Sequence, residues 1–128
     1  MIQVICPVCG AALAPQGAAW RCVQGHCFDV ARQGYVNLLT VTQKHSRHPG
    51  DTREMVAARR AFLDAGWYAP IAKTLADLVR RFCPAAEAVL DAGCGEGYYL
   101  SQLGWIPERW GIDISRDAVR YAAACDRS

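Results

Sequence analysis

No stretch of this chain approaches the ~20 consecutive apolar residues of a bilayer-spanning helix, so a helical membrane anchor is not expected. The N-terminus, MIQVICPVCG, lacks the charged and then apolar run of a secretory leader. Charge of one sign is also missing: 14 Lys and Arg against 12 Asp and Glu leave +2, too little to argue for a nucleic-acid partner by itself. No Gly-Lys-Ser/Thr follows the glycines, which excludes a Walker-type phosphate cradle. What remains is 128 residues, enough for one real core and a small extra module. Seven cysteines is an odd count. Without a leader it points to reduced thiols in a cytoplasmic protein, kept for metal or chemistry rather than for disulfides.

Four of the seven lie in the first 27 residues, in CPVCGAALAPQGAAWRCVQGHC. Cys6-x2-Cys9 and Cys22-x3-His26 form two close pairs twelve residues apart. Two such pairs supply the four soft ligands of a tetrahedral Zn²⁺ site. After each pair's first cysteine the backbone must fold back, and the glycine of CPVCG permits it. The fourth ligand is open between His26 and its neighbour Cys27, whose side chains point opposite ways in extended chain; His26 is favoured. The competing reading is a set of inert buried cysteines. A module of this size rarely sustains its own core, so a metal staple is the better account. Strands are expected near residues 2–5, 19–22 and 27–30, with QGAA as a turn. With no ligand position left open, the zinc is expected to be structural.

The next segment carries Lys44, His45, Arg47, His48 and Arg53 against only Asp51 and Glu54. It reads either as a solvated linker or as a loop meeting RNA phosphates. A helix should begin near Asp51 as its cap, bury Met55, Ala58, Phe62 and Leu63, and end at Gly66. Arg59 and Arg60 project from its other side and join Lys44, Arg47 and Arg53 as candidate phosphate contacts. A second helix after Tyr68-Ala69-Pro70 has Ile71, Leu75, Leu78, Val79 and Phe82 as its expected buried stripe.

VLDAGCGEGYY follows as a buried strand, a glycine turn and a helix from Tyr98 to Leu103. RWGIDIS, residues 109–115, is a second strand with Asp113 at its carboxyl end, where an acidic group can accept from ribose hydroxyls. Ser115 should cap the helix that comes after. Asp91, Gly93, Gly95 and Gly97 make D-x-G-x-G-x-G, the pattern of S-adenosylmethionine enzymes, in which the bare glycine backbone lets a ligand approach closely. An α/β turn without a ligand is the plainer alternative.

Together, CPVCG, GHCFDVARQGYVNLL, SRHPGDTREMVAARRAFLDAGWYAP and VLDAGCGEGYY resemble the bacterial 23S ribosomal RNA guanine-N1-methyltransferases, from Cys6 to about Tyr121. The resemblance implies an α/β chain: a zinc ribbon (1–34), a basic linker and helix (35–66), and the first half of a Rossmann-like methyltransferase domain (67–128). It implies zinc on Cys6, Cys9, Cys22 and His26 gripping an RNA hairpin, and cofactor contacts from Tyr68, Gly95 and Glu96. Members of that family run well beyond this length, so the chain is expected to be an incomplete, inactive piece that self-associates or orders only partly beyond residue ~85. No general base is evident. The rival functions are an RNA-binding ribbon without catalysis and a methyltransferase acting on something other than RNA.

Overall fold

The computed structural model describes residues 1–126; the last two positions of the 67–128 segment lie outside the described residues. The ribbon is a three-stranded antiparallel sheet of β1 (Leu13–Gln16), β2 (Ala19–Cys22) and β3 (Cys27–Asp29), with β2 in the middle. Gln16 faces Ala19, so Gly17 and Ala18 form the expected turn between them. Gly17 sits at φ 65°, as a two-residue hairpin loop requires. The first strand is not where it was expected: residues 2–5 contribute only an isolated bridge from Ile5 to Ala12, and the edge strand is LAPQ. Pro15 disguises it in the sequence, yet an edge strand tolerates a residue without an N–H.

Cys6, Leu13 and Cys22 are the buried centre of this module, flanked by Val4, Ala11, Trp20, Phe28 and Leu38. Three buried side chains are too few to hold such a fold without a staple.

Past the ribbon, a 3-10 turn at Val41–Gln43 precedes α1 (Arg53–Asp64) and α2 (Ala69–Phe82). Thr52 caps α1, its hydroxyl accepting from the Met55 N–H at 3.3 Å. Asp51, the expected cap, instead pairs with Arg59. Gly66, at φ 86°, ends the helix as expected, its N–H returning to the Leu63 carbonyl. The buried face of α1 consists of Val56 and Leu63, while Met55 and Phe62 stay largely exposed. α2 departs further. Ile71, Leu75, Leu78 and Phe82 are all exposed, and only Ala72 is buried. The expected burial of this stripe is therefore corrected: periodicity marks an apolar side, but no element of the described residues packs broadly against it.

β4 (Ala88–Ala92), the short α3 (Tyr98–Ser101), β5 (Glu108–Ile112) and α4 (Arg116–Asp126) complete the chain. β4 and β5 are parallel, with Ala88 opposite Glu108 and Ala92 opposite Ile112. Gly111 is where the first strand's turn crosses close: a Cβ there would meet Cys94 Sγ at 2.8 Å. The ribbon is seated on β5. The Ile2 N–H and the Trp110 indole N–H both donate to Glu108 Oε1, at 3.0 and 2.9 Å. These two donors hold the Glu108 carboxyl below the usual carboxylate range. Trp20 meets Trp110 edge to face at 5.8 Å.

Candidate metal centre and cofactor site

Two glycine turns build the metal centre. Gly10, at φ 73°, lets its own N–H reach the Cys6 carbonyl at 2.8 Å, while the Cys6 N–H bonds the Ala11 carbonyl. Gly25, at φ 85°, does the same for the second pair, its N–H donating to the Cys22 carbonyl at 3.0 Å. The ligand atoms of Cys6, Cys9, Cys22 and His26 converge within 4.8 Å of one another. Cys9 Sγ lies 3.7 Å from Cys22 Sγ, and Cys22 Sγ lies 3.4 Å from His26 Nδ1. Two thiolates ~2.3 Å from a common ion stand about 3.8 Å apart in a tetrahedron, so this spacing fits Zn²⁺. Cys27 is exposed at the start of β3 and outside the cluster. Burial pushes the Cys22 thiol up, but hydrogen bonds from the His26 and Gln24 backbone, the His26 ring and Cys9 outweigh it and bring the thiol down to about 6. A cysteine held this way presents a thiolate, the form a metal needs.

The glycine turn after β4 is the second site. Gly93, Gly95 and Gly97 all have positive φ (85°, 55° and 84°), a conformation that only glycine enters freely. The Gly93 and Cys94 N–H groups both bond the Ile112 carbonyl, tying the turn to the end of β5. Asp113 completes the tie. Its Oδ2 accepts from the Gly95 N–H at 2.9 Å and its Oδ1 from the Ser115 N–H at 2.7 Å. The carboxylate expected to face ribose therefore already holds the loop, and each oxygen keeps one lone pair for a ligand. Ser115 caps α4, accepting from Ala118 N–H at 3.2 Å, and donates to the Asp51 carbonyl at 2.6 Å.

A shallow, open cleft of about 490 Å³ lies over Gly93, Ile112, Asp113 and Ile114, lined as well by Leu38, Leu39 and Gln43. A larger cavity of about 650 Å³ lies on the helix side of the turn, lined by Glu96, Gly97, Tyr98, Arg60 and Tyr121 among others. Ligands of open parallel sheets bind beyond the carboxyl ends of the strands, which is where the smaller cleft lies. One observation fits a ligand here. A Cβ built on Gly93 or Gly95 would meet nothing within 4 Å, so the turn faces open space. On the other side of the turn, lining the larger cavity, Glu96 is 8% exposed, and its Oε2 is buried without a hydrogen-bond partner. Burial raises the Asp91 carboxyl, helped by the Asp113 charge, and drives the Cys94 thiol up to about 11.

Not every expected site residue joins these centres. Tyr68 stacks edge-on to Phe62 at 5.0 Å and lines neither cavity. Arg59 is paired with Asp51, and Arg60 lies 3.9 Å over the Tyr121 ring. Lys44, Arg47 and Arg53 stand exposed on the linker and the first turn of α1. Residues that line the cleft from the linker side, Leu38, Leu39 and Gln43, were missed by sequence reasoning.

A zinc ribbon seated on a strand–glycine turn–helix–strand unit defines an α/β protein with a metal module. The family described as RlmA, N-terminal, a zinc ribbon, matches residues 4–47. A Streptomyces fradiae protein named 23S rRNA (guanine(748)-N(1))-methyltransferase is 45% identical over 92% of this chain and 43% of its own length. Proteins of Micromonospora griseorubida and Bacillus subtilis, provisionally named 23S rRNA (guanine-N(1)-)-methyltransferases, are 42% and 34% identical over 92% of this chain and 46% and 44% of their own lengths. The chain is thus similar to proteins named 23S ribosomal RNA guanine-N1-methyltransferases, and it spans less than half the length of these relatives.

Proposed function

We propose that this chain carries the RNA-gripping ribbon and the first half of the cofactor site of an S-adenosylmethionine-dependent methyltransferase. Its substrate is N1 of a guanine in a hairpin loop of 23S ribosomal RNA, and its domain is Rossmann-like. The observation that carries the reading is the glycine turn pinned by Asp113 at the carboxyl ends of two parallel strands. The names and identities of the relatives support the reaction and the RNA. Asp91, Gly93, Gly95, Glu96, Gly97 and Asp113 would hold the cofactor, and its sulfonium supplies an electrophilic methyl group when bound.

The chain's own contributions are positional. The turn's bare backbone admits the ligand, and Asp113 fixes the turn and offers a hydroxyl acceptor. The target atom lies on the Watson–Crick edge, so the guanine must be unpaired or turned out of its stack before it can reach a methyl donor. Lys44, Arg47 and Arg53 are the proposed phosphate contacts. Arg59 and Arg60, already engaged within the chain, brace α1 against the Asp51 loop and α4. Zn²⁺ on Cys6, Cys9, Cys22 and His26 keeps the hairpin folded, and RNA modification of this kind belongs to the cytoplasm. Equilibrium dialysis of radiolabelled S-adenosylmethionine, with and without a 23S hairpin, tests the reading. Retention that rises with the hairpin supports it. Retention of cofactor indifferent to RNA would favour a methyltransferase with another substrate, and RNA binding alone would favour a non-catalytic ribbon.

A further inference from the structure

The linker between ribbon and helices is fastened at both ends. At its start, Val30 bridges Val36, and the Arg116 Nε–H donates to the Tyr35 hydroxyl at 3.4 Å. At its end, Gly50 lies so close to the β5–α4 junction that a Cβ would stand 2.7 Å from the Ser115 nitrogen. The Ser115 hydroxyl bond to the Asp51 carbonyl locks the same point. Between these clamps the chain crosses the open side of the Gly93–Asp113 cleft. Leu38 packs on the ribbon core as well as lining the cleft. The Val41–Gln43 turn is held by its own box, with Gln43 Oε1 accepting from the Thr40 N–H at 3.3 Å. That leaves the Gln43 amide NH₂ able to donate. Lys44 and Arg47 follow immediately, exposed.

We propose that Leu38, Leu39 and Gln43 form the second wall of the cofactor cleft, so that the basic linker is a strap binding RNA phosphates on its outside and the cofactor on its inside. The proposal rests on the cofactor reading above. The leucines offer an apolar surface against a ring or thioether, and Gln43 offers a donor. RNA held at Lys44 and Arg47 fixes the strap, so less order remains to be imposed when the cofactor binds. The coupling is reciprocal: whatever factor RNA adds to cofactor affinity, cofactor adds to RNA affinity.

The test is titration calorimetry of the zinc-loaded chain with S-adenosylhomocysteine, alone and with a 23S hairpin. Leu39→Ala and Gln43→Ala should each weaken binding about 5- to 10-fold, the loss of one half-buried apolar contact or one hydrogen bond. Gly50→Ala should weaken it comparably although residue 50 does not line the cleft, because it lifts the strap off Ser115. Lys44→Ala with Arg47→Ala should abolish the tightening that RNA brings. Exchange of the 38–43 amides should slow when S-adenosylhomocysteine is added, a reading that survives if Gly50→Ala folds poorly. Asp113→Ala separates the two ideas. If it weakens binding while Leu39→Ala and Gln43→Ala do not, the strap is refuted and the site stands. If none of these variants matters, the site itself is refuted and the strap with it.

Discussion

Replacing Asp113 should loosen the glycine turn before any ligand is considered. Both carboxylate oxygens accept backbone N–H groups, from Gly95 at 2.9 Å and Ser115 at 2.7 Å. Hydrogen bonds to a charged acceptor contribute ~1.5–3 kcal/mol each when well shielded. This carboxylate is only half-buried, and water can reach the freed N–H groups, so the lower end applies to both. Asp113→Ala should therefore cost about 3 kcal/mol, roughly 9–15 °C in melting temperature for a domain of this size. Asp113→Asn keeps one acceptor oxygen and should fall between. Urea unfolding followed by circular dichroism gives the free energies, and amide exchange reads the Gly95 and Ser115 N–H groups individually. An Ala variant within ~0.5 kcal/mol of the parent, with both amides still protected, would refute the claim that Asp113 organises the turn.

Elemental analysis should find one zinc per chain; Cys22→Ser and His26→Ala should lose it, while Cys27→Ser, Cys83→Ser and Cys125→Ser should keep it. Metal lost with Cys27→Ser but retained in His26→Ala would overturn the ligand set. Binding of a 23S hairpin should lose ~0.7–0.9 of its salt slope for each of Lys44→Ala, Arg47→Ala and Arg53→Ala, whereas Arg59→Ala should act mainly on stability. An unchanged slope in the triple variant would leave this segment a plain linker. The Cys94 thiol, pushed up to about 11 from 9.0 chiefly by burial and then by Asp113 and Asp91, is favoured neutral in the fold. Its contribution is full below pH 9 and fades as pH climbs to 11, so the melting temperature of the parent should drop more steeply across that window than that of Cys94→Ala. Equal slopes would contradict the assignment. At neutral pH, iodoacetamide should modify the exposed Cys83 and spare Cys94.

The parts legible in the sequence were those whose geometry is local. Cys6, Cys9, Cys22 and His26 announce themselves because two short ligand pairs can close on one ion only at such spacings. The glycine turn was legible for the same reason: Gly93, Gly95 and Gly97 occupy backbone conformations that other residues resist. What depended on distant partners was not. Asp113 was expected to serve a ligand, and its hydrogen bond to Gly95, eighteen residues away, has no sequence signature. Arg59 and Arg60 looked free on a helical wheel, yet Asp51 and Tyr121 take them up. The α2 stripe was real as a pattern, but a pattern does not say what covers it. The contact of Gly50 with Ser115, which makes it the clamp of the linker, likewise joins residues far apart in the chain.

The proposed function places this sequence in an enzyme that methylates N1 of a 23S ribosomal RNA guanine. Its most direct test is to map N1-methylguanosine in 23S ribosomal RNA from cells with and without the gene that encodes it. Mass spectrometry of nuclease fragments, checked by reverse-transcription stops, should show one hairpin guanine that loses its methyl group in the deletion and regains it on complementation. Complementation with an Asp113→Ala gene should restore it poorly. A methylation pattern identical in the parent and the deletion strain would contradict the account.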